Sequence, residues 1–290
     1  MLKTATGLVI ESYLVASSTN LSINGAILTV RPTAPLVGET SYRVEFSASS
    51  VVDLAGNGFL RSTDYNFTTR ATGQTLVGTP QADALLGGNG PDTISGGAGD
   101  DVSAGAAGND LIDGGAGLDA ARYNGSRSHF TLTKTSMGFT LTDTVGSEGV
   151  DTLASIERLH FTDSNLALDL DGHAGQTAKL LGAVLGVTAV DNKQYVGIGL
   201  SLLDAGMSYE QLAGFAITGV AGSSHVAVVS LLWTNLFGSA PTPAQAAPVV
   251  ALLDGGLSVG ALTVLAADYE VNTEHIKLVG LALTGLEYSL

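Results

Sequence analysis

A multidomain chain, β-rich over residues 1–168 and helical beyond, is what three features of the sequence predict. Short runs of alternating apolar and polar residues, such as LSINGAILTV, YRVEFSAS and FTLTK, are rich in Val, Ile, Tyr, Phe and Thr and lack helical periodicity. Between them, residues 78–122 form a block made largely of glycine and aspartate. From about residue 175, Leu, Ala, Val and Gly recur at helical spacing. The expected segments are 1–72 (β), 76–122 (repeat block), 123–168 (β) and 169–290 (all-α).

Composition narrows the function. Of 290 residues, 45% are apolar, enough for a sizeable core, and only 13% are charged, with a formal net charge of −15. So few Lys and Arg exclude nucleic acid as a partner and argue against an anionic membrane surface. The balance suits cation binding. The absence of cysteine excludes a disulfide framework and a thiolate metal site. Met1–Thr6 does not lead into an apolar stretch, so no cleavable export signal is expected. The uncharged region 211–253 is interrupted by Ser223, Ser224, His225, Thr234, Asn235, Pro241 and Pro243, which predicts short buried helices rather than a membrane span.

In the first segment the alternating runs are separated by turn residues. LSINGAILTVRPTAPL, ETSYRVEF, VVDLAGNGF and YNFTT together resemble bacterial Ig-like domains. The resemblance implies a β-sandwich of about 100 residues. Residues 1–72 would supply only part of one. Either the chain is cut from a longer one, or a strand from another copy completes the sandwich edge, which makes the protein itself a possible partner.

The central block aligns in nines: GTPQADALL (78–86), GGNGPDTIS (87–95), GGAGDDVSA (96–104), GAAGNDLID (105–113) and GGAGLDAAR (114–122). Asp83, Asp92, Asp101, Asp110 and Asp119 share one phase, which a flexible linker does not need. No G-x-x-x-x-G-K-[ST] is present, and so acidic a loop would repel phosphate. Glycines permit sharp turns and leave carbonyl oxygens unshielded, and calcium takes six to eight oxygen ligands. The pattern resembles the RTX family of calcium-binding nonapeptide repeats. The resemblance implies a parallel β-roll in which each ion bridges turn n and turn n+2. Carried onto this chain, one site uses Gly88, Gly90 and Asp92 with Gly105, Ala107 and Asp110. A second uses Gly97, Gly99 and Asp101 with Gly114, Ala116 and Asp119, and a third Thr79, Gln81 and Asp83 with Gly96, Ala98 and Asp101. Thr79 and Gln81 replace glycines in the third set, so two or three calcium ions are expected. Ala106 also replaces a glycine. Ser103 and Ala121 stand where large inward apolar residues belong, which leaves Leu85, Ile94 and Ile112 as a thin core. Seven carboxylates crowd this block with Arg122 its only base, so the roll is expected to stay disordered without calcium and to order in millimolar calcium outside the cell.

The following segment carries EGVDTLASIERLHFTD (148–163), similar to the strand-rich stretch that follows the repeats in RTX proteins. It implies a cap on the open end of the roll. In the last segment, Asp191, Ser208 and Thr242 each precede a Gln by three residues, the signature of a capped helix start. LLDAGMSYEQLAGFA (202–216) matches LLDGGLSVGALTVLA (252–266), and KLLGAVLG (179–186) pairs loosely with LLWTNLFG (231–238), so two copies of a multi-helix unit are expected to pack together. VDNKQY, LLDAGMS, LLDGGLS and LVGLALTGLEY resemble a helical repeat family that often ends proteins exported by one-step, type I secretion. That resemblance implies an uncleaved C-terminal export signal and the type I machinery as a partner. Asp169, Asp171 and Gly172 resemble half of an EF-hand loop without its glutamate. His225 and Trp233 sit at helical spacing and read as core packing.

No H-E-x-x-H or cysteine nucleophile occurs, and the G-x-S-x-G at 256–260 (GLSVG) falls in the helical segment with no strand before it, so no catalytic residue is expected. The expected function is that of a secreted, calcium-binding, non-catalytic surface or matrix protein, adhesive or self-assembling. The alternative is the export and folding portion of a larger secreted RTX enzyme, a protease or lipase.

Overall fold

The computed structural model describes residues 1–289 except 15–16, 25–26, 35, 48–64 and 70–71; the motif VVDLAGNGF (51–59) lies outside the described residues. These residues form β-sheets followed by helices, a mixed β-plus-α chain. It divides into two compact units, one of residues 1–73 with 89–91, the other of residues 74–88 with 92–290.

In the first unit, β1 (Leu2–Thr4), β2 (Val9–Glu11), β5 (Ser41–Val44) and β6 (Tyr65–Thr68) form an antiparallel sheet in the order β2-β1-β5-β6, while β3 (Leu21–Asn24) and β4 (Ile27–Val30) form a hairpin. Leu2 and Tyr42 are buried, and Tyr42 stacks on Phe67 at 5.7 Å. Buried Glu45 takes Lys3 at 2.6 Å and Arg43 at 3.1 Å. The sheet's outer strands β2 and β6 expose Val9, Ile10, Tyr65 and Phe67.

The second unit begins with short strands: β7 (Thr75–Val77), β8 (Ala84–Leu86), β9 (Thr93–Ala98), β10 (Val102–Ala104), β11 (Leu111–Ala116) and β12 (Ala120–Arg122). They alternate between two sheets. β7, β9 and β11 stack in parallel on one side and β8, β10 and β12 on the other. Leu111 pairs with Thr93 and Val102 with Ala84, so the chain travels eighteen residues, two nonapeptides, before it lies on itself. Next come β13 (Phe130–Thr135), β14 (Gly138–Asp143), β15 (Val150–Ala154), β16 (Arg158–His160) and β17 (Asn165–Ala167). β15 and β16 continue the parallel ladders, Leu111 against Thr152 and Ala120 against Arg158. β14 and β17 then add antiparallel strands at the same ends.

The interior follows the eighth position of each nonapeptide. Ile94, Ile112, Ala121 and Ser103 are fully enclosed. Such a core is thin, as the small side chains predict. It continues into Leu141, Leu153, Leu159, Leu166 and a cluster of Tyr123, Phe130 and Phe161 with ring centroids 5.1–5.8 Å apart. The following segment thus supplies apolar volume that the repeats lack.

Eight helices follow: α1 (His173–Leu185), α2 (Lys193–Asp204), α3 (Tyr209–Ala221), α4 (His225–Phe237), α5 (Pro243–Asp254), α6 (Val259–Ala267), α7 (Glu270–His275) and α8 (Leu278–Thr284). Ser208 and Thr242 make complete capping boxes with Gln211 and Gln245, and Pro243 takes the first helical position. The first start differs. Asn192, not Asp191, caps α2, accepting from the Gln194 and Tyr195 amides, because residues 187–191 are already wound into a 3₁₀ turn. The matching stretches end in α3 and α6, which pack on each other, with Gly260 against Glu210 and Gly214. Neither His225 nor Trp233 is a core residue. His225 opens α4 and pairs with Asp254 at 2.7 Å, and half-buried Trp233 lies against Phe237 at 4.8 Å. Their helix is apolar over most of its surface, and its buried stripe runs through Val228, Val229, Leu232 and Leu236 instead, leaving Val226 and Phe237 exposed. Among the described residues no single helix is long and apolar enough to cross a membrane. β18 (Leu286–Tyr288) returns to pair with β17, and buried Arg158 on β16 reaches Asp169 at 2.5 Å and Asp204 at 2.9 Å. Asp169, read as part of an EF-hand half, also accepts from the Ala174 amide, so its place here is structural.

Candidate metal centre

Stacking every eighteen residues brings the phased aspartates together in two columns. In the first, the Gln74 amide donates to Asp92 Oδ1 (2.5 Å), the Asp92 amide to Asp110 Oδ1 (2.8 Å) and the Asp110 amide to Asp151 Oδ1 (2.9 Å). In the second, the Asp83 amide donates to Asp101 Oδ1 (2.7 Å), the Asp101 amide to Asp119 Oδ1 (2.8 Å) and the Asp119 amide to Glu157 Oε2 (2.8 Å). One oxygen of each carboxylate thus locks the turns in register.

The other oxygen is the informative one. Asp92, Asp101, Asp110 and Asp119 are all buried, and the Oδ2 atoms of Asp101, Asp110 and Asp119 have no hydrogen-bond partner. A buried, unpaired carboxylate oxygen costs several kcal/mol, of order 1–3 or more. Arg122 points to solvent and does not compensate them. Burial pushes the Asp110 and Asp119 carboxyls up, and their neighbours Asp92 and Asp101 push them further. Asp151 is pushed up to about 7, first by burial and then by Asp110 and Glu148, and burial also raises Glu148 and Glu157. A cation between the turns would reverse each of these effects.

The backbone is shaped for close approach. Gly97, Gly99, Gly115 and Gly117 have φ of 99 to 146°, and Ala106, where a glycine is replaced, is held at 67°. A Cβ on Gly115 would lie well inside 3.0 Å of the Gly97 carbonyl, which only glycine avoids. Among the described residues, no three Asp, Glu or His side chains converge as a metal site. Any site must therefore add carbonyl oxygens to a carboxylate pair, a hard-oxygen donor set of the type calcium takes.

The sequence-derived sets meet the structure unevenly. It brings Asp92 next to Asp110, Asp101 next to Asp119 and Asp83 next to Asp101. Of the carbonyls, Gly88 accepts from the Ala107 amide and Ala116 from the Gly99 amide. The third set differs in degree, since Asp83 Oδ2 accepts from both the Thr79 amide and hydroxyl at 2.5 and 2.9 Å, whereas Asp92 Oδ2 accepts from the Gly88 amide alone at 2.7 Å. Asp151 and Glu157 were not foreseen as members of the columns. Glu157 falls out of the nonapeptide phase, but the signal for Asp151 is nevertheless present: GSEGVDTLA (146–154) has Gly at positions one and four, Asp at six and Leu at eight. It is hidden because residues 123–145 interrupt the phase.

Stacked half-turns that present buried carboxylates at Asp92, Asp101, Asp110 and Asp119 define the chain as a repeat protein with hard oxygen donors between its turns. Family models make the class specific. Residues 77–112 and 99–120 match the RTX calcium-binding nonapeptide repeat (4 copies), and residues 4–69 match the bacterial Ig-like domain. The chain therefore carries RTX calcium-binding repeats together with a bacterial Ig-like domain. No curated protein matches it. Among solved structures, the extracellular lipase LipA from Serratia marcescens is similar at 26% identity with a TM-score of 0.29, over 32% of this chain and 15% of the lipase.

Proposed function

We propose that this is a secreted, calcium-stabilised, non-catalytic protein of the cell surface or extracellular matrix, and that residues 76–122 form an RTX-type parallel β-roll capped by residues 123–168. The observation that carries this reading is the set of buried, unpartnered Oδ2 atoms on Asp101, Asp110 and Asp119. Calcium would be held by Asp92 with Asp110 and by Asp101 with Asp119, each pair joined by carbonyls of its two turns: Gly88, Gly90, Gly105 and Ala107 in one site, and Gly97, Gly99, Gly114 and Ala116 in the other. Bound there, calcium supplies the charge that the carboxylates lack and the ligation energy that folds the turns. The site of Asp83 and Asp101, with Gly96 and Ala98, is the weakest, because Thr79 has already engaged Asp83. Extracellular calcium near the millimolar range fills modules of this kind, whereas the cell interior leaves them empty.

Calcium titration followed by circular dichroism tests the reading. A gain of β signal that saturates by ~10 mM supports it, and no gain over that range removes it. A second reading, self-assembly, draws on the exposed Val9, Ile10, Tyr65 and Phe67 of the outer strands β2 and β6. Light scattering after size exclusion, with and without calcium, tests it: a strict monomer in both excludes it. The helical residues 169–290 would carry an uncleaved export signal for type I secretion.

A further inference from the structure

We infer that the turn at residues 146–151, beyond the matched repeats, closes a further calcium site against the turn at residues 105–110, with Asp110 and Asp151 as its carboxylates and Glu148 beside them. The inference rests on the calcium reading of the repeats and extends it to residues that the nonapeptide phase does not reach.

Three observations converge. The first is register. Although 41 residues separate them, Asp151 stands to Asp110 as Asp110 stands to Asp92, each accepting the earlier aspartate's amide through Oδ1. β15 lies on β11 as β11 lies on β9. The second is the close approach. Gly149, at φ 77°, sits on the Gly108 carbonyl just as Gly117 sits on the Gly99 carbonyl, both with no room for a Cβ. Position four of a nonapeptide is thus rebuilt from a residue outside the run. The third is what lies unpaired there. Asp110 and Asp151 are both almost wholly buried, and Asp110 Oδ2 and Glu148 Oε2 are buried without partners.

The turn is held in shape independently of any ion. Asp143, at the end of β14, accepts from the Val145 and Gly146 amides through Oδ1 and from the Glu148 amide through Oδ2. Asn109 Oδ1 takes the Val150 amide, tying the turn to the one below it. Asp143 and Asn109 thus do the holding that the turn's own backbone does elsewhere, which leaves the Asp110–Asp151 carboxylate pair for a cation, with Glu148, whose Oε1 takes the Asn124 amide, adding charge nearby. Hard oxygen donors select calcium or a lanthanide over softer metals.

Tyr123 lies beside the Asp151 carboxylate and supplies a local probe, because a buried tyrosine next to bound terbium sensitises its emission. The experiment loads the full chain with terbium(III), counts bound calcium by elemental analysis after dialysis, and compares wild type with Asp151→Asn and Tyr123→Phe. The expected result is one calcium fewer in Asp151→Asn with the calcium-dependent circular dichroism retained. Its tyrosine-sensitised emission should fall to the level of Tyr123→Phe, which keeps the wild-type calcium count. If Asp151→Asn fails to fold, Glu148→Gln and Tyr123→Phe decide: emission undiminished in both overturns the inference. An unchanged calcium count in a folded Asp151→Asn also overturns it while leaving the calcium reading of the repeats standing. Wild type that binds no calcium overturns both.

Discussion

Gly115→Ala tests whether the close stacking of turns and calcium binding are one event. Gly115 has φ 101°, and a methyl group there meets the carbonyl of Gly97 well inside 3.0 Å. The obstacle is backbone, so it cannot be relieved by turning a side chain; the turns must separate. The dihedral alone costs about 1–3 kcal/mol. At 1.4 kcal/mol per tenfold, that is about 5- to 150-fold in the folding equilibrium. Shared among two to four ions whose binding is linked to folding, it raises the calcium midpoint by the square to fourth root, about 1.5- to 12-fold. The clash adds to this, so these factors are lower bounds. Calcium titration by circular dichroism reads the midpoint directly. Gly206→Ala is the control: Gly206 has φ 93° but nothing within 4 Å of an added Cβ, and it lies in the helical region. It should lose stability without moving the calcium midpoint. An unmoved midpoint in Gly115→Ala, or equal shifts in both variants, would refute the coupling.

Ile112→Ala empties a fully buried position in the thin core and should cost about 2–5 kcal/mol in urea unfolding of the calcium-loaded protein. Arg158→Ala leaves Asp169 and Asp204 facing each other without their buried cation, and should cost about 3 kcal/mol in the same assay. The calcium midpoint should rise as pH falls toward 4, because the carboxylate ligands must be deprotonated. Calcium titrations by circular dichroism at pH 4 and pH 7 check this, and equal midpoints at both refute it.

Much of this architecture is legible in the residues, for different physical reasons. The aspartate phase is readable because one ligand position recurs every nine residues and the structure superposes every second one. The boxes at Ser208 and Thr242 are readable because both reciprocal bonds are local. The cap of α2 is misplaced by one residue because the 3₁₀ turn before it, a matter of tertiary packing, decides which side chain faces the free amides. The environments of His225 and Trp233 depend on how far around the helix the buried stripe extends, which an apolar stretch in sequence does not specify. Asp151 and Glu157 escape notice for a topological reason: the β13–β14 hairpin separates them from the turns they continue, so contiguity is lost while register is kept.

The pairing of β18 with β17 puts the last three residues of that pair's sheet beside a strand more than a hundred positions earlier, and Tyr288 there meets His160 at 3.2 Å. A sheet finished by so distant a segment carries the entropy cost of closing the whole helical stretch as one loop, a cost that docking of those helices reduces. Ordering of the glycine-rich turns at one margin and docking of the helices at the other therefore converge on a common scaffold, and a long loop has to be closed before the final rung is gained. This favours slow completion of the native state, with the repeat end free to order first.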